Sequence, residues 1–481
     1  MRSLIREGIL GPFYCGGQEI LRRIVVSVRD RDWREVPIIQ WQVIGDETSM
    51  TAQIEARHTS DCVDFEWRGH LRVSSDLRRI QLQFEGRALR DMDVCRLGLV
   101  ILHPVESMIG AEVTAHGPHG LERLIVSRMI HPQSIVKGLP SAMMAPFSVL
   151  EIEREDVGLL RMELTGDLFE LEDQRNWGDA SFKTYCTPLS LGFPRHLTQG
   201  TLVSQAVEIS YTPSFSGQTG RRPHSGLPAS TRMGAEIQSG RRPVQTEPSK
   251  KPAIGCVVTD AAFGRLMNAS AIGAWDHLQL GSEAVTPEFV TRLLGVLPRS
   301  TQLELVVPVQ QDPARLNDVA GLFRGHEDRI ARILVTDSKQ ALPSARDVAS
   351  LRLMIAGALL RNVPTFLMPR GYFVELNRGE PLNFDVDGFA FPLSSTVHAS
   401  DPESVIDNVA AASDMVATLR ALTKGAQIAV SPLAAYYPTQ ELREGIGGPL
   451  WGSWVTRTIA RLSAAGVTSI TLAWDLIEAR P

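Results

Sequence analysis

The stretch 169–188, FELEDQRNWGDASFKTYCTP, crowds carboxylates, a guanidinium, amides, an indole, hydroxyls and an ammonium into twenty positions. Ahead of it, Leu160 to Phe169 (LRMELTGDLF) alternates apolar and polar residues as a half-buried strand does, and the alternation stops at Glu170, Glu172 and Asp173. The polar cluster therefore sits at a strand end, where side chains can converge on a ligand. An isolated run of charge is better read as a solvated, salt-bridged loop.

A second set of reactive residues follows apolar strands in the C-terminal half. GYFVELNR at 371–378 supplies Tyr372, Glu375, Asn377 and Arg378. Glu375, flanked by Phe373, Val374 and Leu376, is expected to be partly desolvated, with a pKa raised toward neutrality, as suits a general acid or base. Its alternative role is to pair with Arg370 or Arg378 and staple its own loop. Asn377 can orient a substrate hydroxyl or carbonyl, and Arg378 can grip a carboxylate in a bidentate way. VHASDPES at 397–404 places His398, the residue type suited to proton transfer near neutral pH. Asp401, directly before Pro402, reads instead as a helix N-cap. Asp475 closes the set after the last apolar strand. Asp260, His277, Gln279, Glu283, Asp337, Ser394, Ser395, Tyr436, Tyr437 and Trp474 also fall near strand ends. Glu304 lies within a strand, as an inward buried group or as an outward partner of a helix.

The elements that must position these groups fall into two grammars. From Gln18 to about Tyr211 the pattern is short alternating strands; in IQLQFEG, Ile80, Leu82 and Phe84 share one face and Gln81, Gln83 and Glu85 the other. This predicts an antiparallel β-sandwich over 1–212. Residues 213–252 lose all periodicity, are rich in Pro, Gly, Ser and Arg, and predict a flexible linker. From Ala253 to Pro481, apolar strands alternate with amphipathic helices. IGCVVTD, DHLQL, QLELVVPV, RILVTD, TFLMP, GFAFPL, QIAVSPL and SITLAW give eight βα units, the count of a (β/α)8 barrel, whose active site lies at the C-terminal strand ends. Ser344, Thr286-Pro287 and Asp401-Pro402 mark helix starts, and Gly466 marks the end of the last helix. The expected fold class is thus multidomain, β plus α/β.

Composition narrows the partners. The 481 residues are 43% hydrophobic with a formal charge of −5, which argues against a dedicated nucleic-acid surface. No run of about 18 apolar residues predicts a membrane span, and MRSLIREGILGPFYCGG lacks the features of a signal peptide. Five scattered cysteines without a CxxC pair read as reduced thiols, so a cytoplasmic location is expected. No HxH, HExxH or Cys/His spacing implies a metal, no cofactor motif occurs, and no GxSxG elbow supports a serine esterase. The expected partner is a small carbohydrate lactone or acid.

The strings EDQRNWGDASFKTY, GYFVELNR and VHASDPES together resemble the D-apionate lactonase family of carbohydrate-acid catabolism. The resemblance implies a β-domain, a central TIM barrel and a further C-terminal domain, the last missing from this chain. It implies opening of a sugar lactone to its acid, with the three strings converging on one pocket at the barrel mouth. Arg175, Asn176, Trp177, Asp179 and Lys183 would then be substrate contacts, with Trp177 offering a stacking face. In the resulting scheme Glu375 activates water, Asn377, Arg175 or Lys183 polarises the carbonyl, and His398 is a second acid/base group. The rivals are a glycoside hydrolase pairing Glu375 with Asp475 or Glu283, and an inactive carbohydrate-binding homologue.

Overall fold

A computed structural model of the chain describes all residues except 1–4, 7, 16, 47–49, 77, 215–250, 259–273, 283–284, 361, 400, 436–448 and 474–481. Most of the expected 213–252 linker, and Asp260, Glu283, Tyr436, Tyr437, Trp474 and Asp475, lie outside the described residues.

The N-terminal half consists of antiparallel strands in two large sheets. One has nine strands, running from Gly120–Ile125 at one edge to Ile38–Asp46 at the other. Its strands carry the expected alternation: in Arg79–Ala88, Ile80, Leu82 and Phe84 are buried and Arg79, Gln83, Glu85 and Arg87 exposed. The other sheet orders Ile5–Arg6, Ile9–Leu10, Arg23–Asp30, Met92–Pro104, Ser181–Tyr185 and Glu170–Asp173, with Arg195–Leu197 pairing onto Met92–Pro104. Side-chain alternation divides the second sheet into unlike faces. Ile24, Val26, Val28, Leu99, Ile101, Leu171 and Phe182 join the same apolar cluster as the first sheet's core. The opposite face carries Arg23, Arg29, Arg96, Lys183, Tyr185, Glu170 and Glu172, in register across neighbouring strands.

The C-terminal half is a closed barrel of eight parallel strands, from Ala253–Val257 to Ser469–Leu472, with the first paired to the last. All eight sequence-read strands are present. The helix starts form as expected: the side chains of Thr286, Ser344 and Asp401 accept the backbone N–H of Phe289, Asp347 and Ser404. Gly466, at φ 78°, follows the helix Pro449–Ala464. No described helix is long and apolar enough to cross a membrane.

Glu304 turns inward. It is 1% exposed and lies 3.0 Å from the Arg332 guanidinium, while Thr471 Oγ1 and Gln279 Nε2 donate to it at 3.1 and 3.2 Å. A charged, hydrogen-bonded group thus occupies the barrel interior, where an isolated carboxylate would be costly. A cavity of about 390 Å³, lined by Lys251, Asp276, His277, Gln302 and Arg332, opens at the starts of the strands, the mouth opposite to that of His398.

Candidate active site

The polar string at 170–185 forms the junction with the barrel. Glu170–Asp173 ends in a single 3-10 turn, Gln174–Trp177, capped by the Asp173 side chain and closed by Gly178 at φ 95°. A β-carbon on Gly178 would sit 2.6 Å from the Ser394 carbonyl oxygen, so the turn rests on the end of the sixth barrel strand because no side chain intervenes. Ala180 N–H donates to Asn408 Oδ1 beside it, tying the turn to a barrel helix.

Arg175 and Asn176 do not line a binding surface, contrary to the expectation that they contact substrate. Arg175 is fully buried and pairs with Asp173 at 2.7 Å and with Asp414 of the helix Ala411–Leu422 at 2.8 Å. Its remaining donors go to the carbonyls of Ser127 and Arg128, so it joins the two halves as a charged bolt. Asn176 donates to the His131 carbonyl and accepts from Asn377 at 2.9 Å. Asn377, at 2% exposure, is likewise spent on this interface.

Trp177, Asp179, Lys183, Tyr372 and His398 do converge. The Trp177 ring lies 5.3 Å from Tyr372 and 6.0 Å from His398, edge-on to both. His398 Nδ1 stands 2.6 Å from Asp179 Oδ2, and Asn408 donates to the other Asp179 oxygen at 3.2 Å. A carboxylate only accepts, so Nδ1 carries the proton and Nε2 presents a lone pair. Among the described residues nothing hydrogen-bonds Nε2, and the imidazole is 24% exposed. Burial lowers its pKa below the ordinary value and Lys183 adds to this, against the attraction of Asp179. The ring is therefore neutral at pH 7.

Behind this dyad, Lys183 Nζ meets Glu172 Oε2 at 2.6 Å, while Trp177 Nε1 and Gln133 Nε2 donate to Glu172 Oε1 at 2.9 and 3.1 Å. Burial would raise the Glu172 carboxyl, but the charge and hydrogen bond of Lys183 hold it at about 2. Burial lowers the Lys183 ammonium to about 8, against the pull of Glu172.

Glu375 reaches the same network by its edge. Its two oxygens take Arg378 Nη2 at 2.8 Å and Nε at 3.2 Å, and Arg378 Nη1 continues to Gln133 at 3.1 Å. The loop-stapling alternative thus describes its contacts, with the Arg378 fork committed to Glu375 instead of a ligand. Asp401 accepts from Ser404 N–H as an N-cap and also takes the Arg23 guanidinium at 2.7 Å. Asp337 is fully buried, and its Oδ1 accepts from Gln310 and from the N–H groups of Lys339 and Gln340. Ser394 donates to the Ala435 carbonyl. Among the described residues no group of three His, Cys, Asp or Glu side chains is placed to hold a metal ion.

Gln133, Arg29 and Arg96 belong to this neighbourhood and were not singled out from the sequence, where Glu172 was named only as part of the polar cluster. Glu172 had a signal, its place in the polar string; the arginines had none, because their meaning depends on which strands pair.

Residues 1–214 match the family described as D-apionate lactonase, N-terminal domain, and residues 273–436 match D-apionate lactonase, TIM barrel domain. A D-apionate lactonase from Brucella anthropi is 30% identical over 201 residues, which cover 40% of this chain and 30% of that protein's length. Among solved structures, a putative aldose 1-epimerase from Escherichia coli aligns at 12% identity and a TM-score of 0.27, over 43% of this chain and 93% of the other. An α-galactosidase from Lactobacillus brevis aligns at 9% identity and a TM-score of 0.27, over 99% of this chain and 75% of the other. The N-terminal and TIM-barrel domains follow each other here in one chain, over most of its length, and the chain belongs to the D-apionate lactonase family.

Proposed function

We propose that the protein is a cytoplasmic hydrolase that opens a small sugar lactone, D-apionolactone or a close relative, to its hydroxy acid. The reading rests on one observation above all: a partly exposed histidine at the barrel mouth, oriented by a carboxylate from the β-domain and set edge-on to the Trp177 ring, which in turn meets Tyr372. In this reading the β-domain, taken as a sandwich, supplies one wall of the site and the barrel the other.

His398 Nε2 takes a proton from water as the water oxygen attacks the lactone carbonyl carbon. Asp179 stabilises the imidazolium that forms. The tetrahedral intermediate collapses with cleavage of the ring C–O bond, and the imidazolium returns its proton to the departing alkoxide. The products are a hydroxyl and a carboxylic acid, which ionises. Trp177 and Tyr372 hold the sugar ring, and the Lys183 charge favours the developing oxyanion. Glu375, which the sequence marked as the base, is assigned here to holding its loop through Arg378, and Asp475 stays a candidate on sequence grounds alone.

The test is turnover of the purified chain against a panel of aldonolactones, corrected for spontaneous opening, with His398→Gln as the control. Enzyme-dependent opening of at least one lactone, lost in the variant, supports the reading. Opening that survives in His398→Gln, or no opening of any lactone, refutes it.

A further inference from the structure

The barrel-facing side of the second sheet contains an arrangement that ordinary strand pairing disfavours. Arg96 of Met92–Pro104 stands directly opposite Arg29 of Arg23–Asp30. Like charges in direct cross-strand register destabilise a sheet.

The other cations on this face have carboxylate partners. Arg23 pairs with Asp401 and Lys183 with Glu172. Glu170 is engaged by Tyr185 Oη, Leu189 N–H and Ser190 Oγ. By contrast, among the described residues no ion pair closes on Arg29 or Arg96. Among the same residues, Arg29 donates only to the carbonyls of Trp33 at 3.0 Å and His398 at 3.3 Å, and Arg96 only to that of Cys186 at 3.5 Å.

Arg96 is nevertheless 5% exposed. Its guanidinium carbon lies 3.9 Å from the centre of the Tyr185 ring and 5.6 Å from that of Trp33. Contact with the two rings fixes the group while leaving N–H donors uncommitted, which is the state of a fork prepared for a planar anion. The contact of Arg29 with the His398 carbonyl sets this fork beside the proposed base.

We propose that Arg29 and Arg96 form a carboxylate subsite next to His398, which takes the acid group of a small polyhydroxy carboxylate. The polyhydroxy part rests on the sugar-lactone reading; the carboxylate part rests on the two arginines. Glu35, Glu170, Glu172 and Asp179 already share this neighbourhood, so the subsite suits one further negative charge in preference to a phosphate dianion. The acid is either the one released by ring opening or a carboxylate that the substrate already bears.

Calorimetric titration of the full chain with D-erythronate, and with erythritol as its uncharged counterpart, tests the subsite. Erythronate should bind at least about tenfold more tightly than erythritol. Arg96→Gln and Arg29→Gln should each abolish that preference while leaving erythritol binding and Tm near wild type. Arg29, half-buried, is the variant least exposed to a folding defect. No binding of erythronate, equal binding of the two compounds, or a preference that persists in both well-folded variants overturns the proposal.

Lactone opening, measured separately, keeps the two claims apart. Arginine-dependent acid binding without opening of any lactone refutes the lactonase reading and keeps the subsite, and opening by a protein with no acid preference does the reverse. Within a positive result, loss of product inhibition in Arg96→Gln at unchanged KM for neutral lactones identifies the released acid. A rise in KM confined to lactones that carry a carboxylate identifies the substrate's own.

Discussion

At the scale of single residues, the sequence found the right string but did not assign every role within it. Asp179, Trp177, Lys183, Tyr372 and His398 come together, whereas Arg175, Asn176 and Asn377, equally polar and equally close in sequence, are consumed by the interface. Sequence cannot separate these groups, because in a 3-10 turn of four residues one step changes which side of the turn a residue faces. The difference sets three expectations. Because burial lowers the His398 pKa, kcat/KM for lactone opening should rise with pH through an apparent pKa below the ordinary 6.5 and stay flat at neutrality. His398→Gln should cost about a hundredfold or more in kcat, and Glu375→Gln less than about tenfold; a pH–rate profile and steady-state kinetics of the two variants check this. Arg175→Gln should leave Asp173 buried without its cation, and Asp414 with Arg128 at 3.4 Å, and destabilise the chain by about 3–5 kcal/mol, read by denaturant unfolding. Native stability with a raised KM would return Arg175 to the substrate's side.

At the scale of elements, all eight barrel strands and the capped helix starts were legible, because hydrophobic period and capping residues are local signals. The polar face of the second sheet was not. Arg29, Arg96, Lys183 and Glu172 come from four strands spread between positions 29 and 183 of the chain, and only strand order and register place them side by side. The turn 174–178 is the element on which the site depends most. Gly178→Ala would add both a left-handed strain and a collision with the Ser394 carbonyl. It should cost about 1–3 kcal/mol and lower kcat by displacing Asp179 from His398, with Tm and turnover measured on the same preparation. Unchanged kinetics in Gly178→Ala would show that the turn does not position the dyad.

At the scale of the whole molecule, the β-domain and the barrel meet through paired polar groups from both: Arg23 with Asp401, Arg175 with Asp414, and Asp179 with His398. The first two pairs bind the halves together, and the third makes them chemically interdependent. That dependence is the central claim, and a double-mutant cycle on turnover tests it most directly, using Asp179→Asn, His398→Gln and the double variant in the full chain. If Asp179 acts only by orienting and charging the imidazole, each single change lowers kcat for lactone opening by about a hundredfold, and the double variant is no slower than the slower single. Losses that multiply in the double variant, or an Asp179→Asn protein that turns over like wild type, would contradict the account.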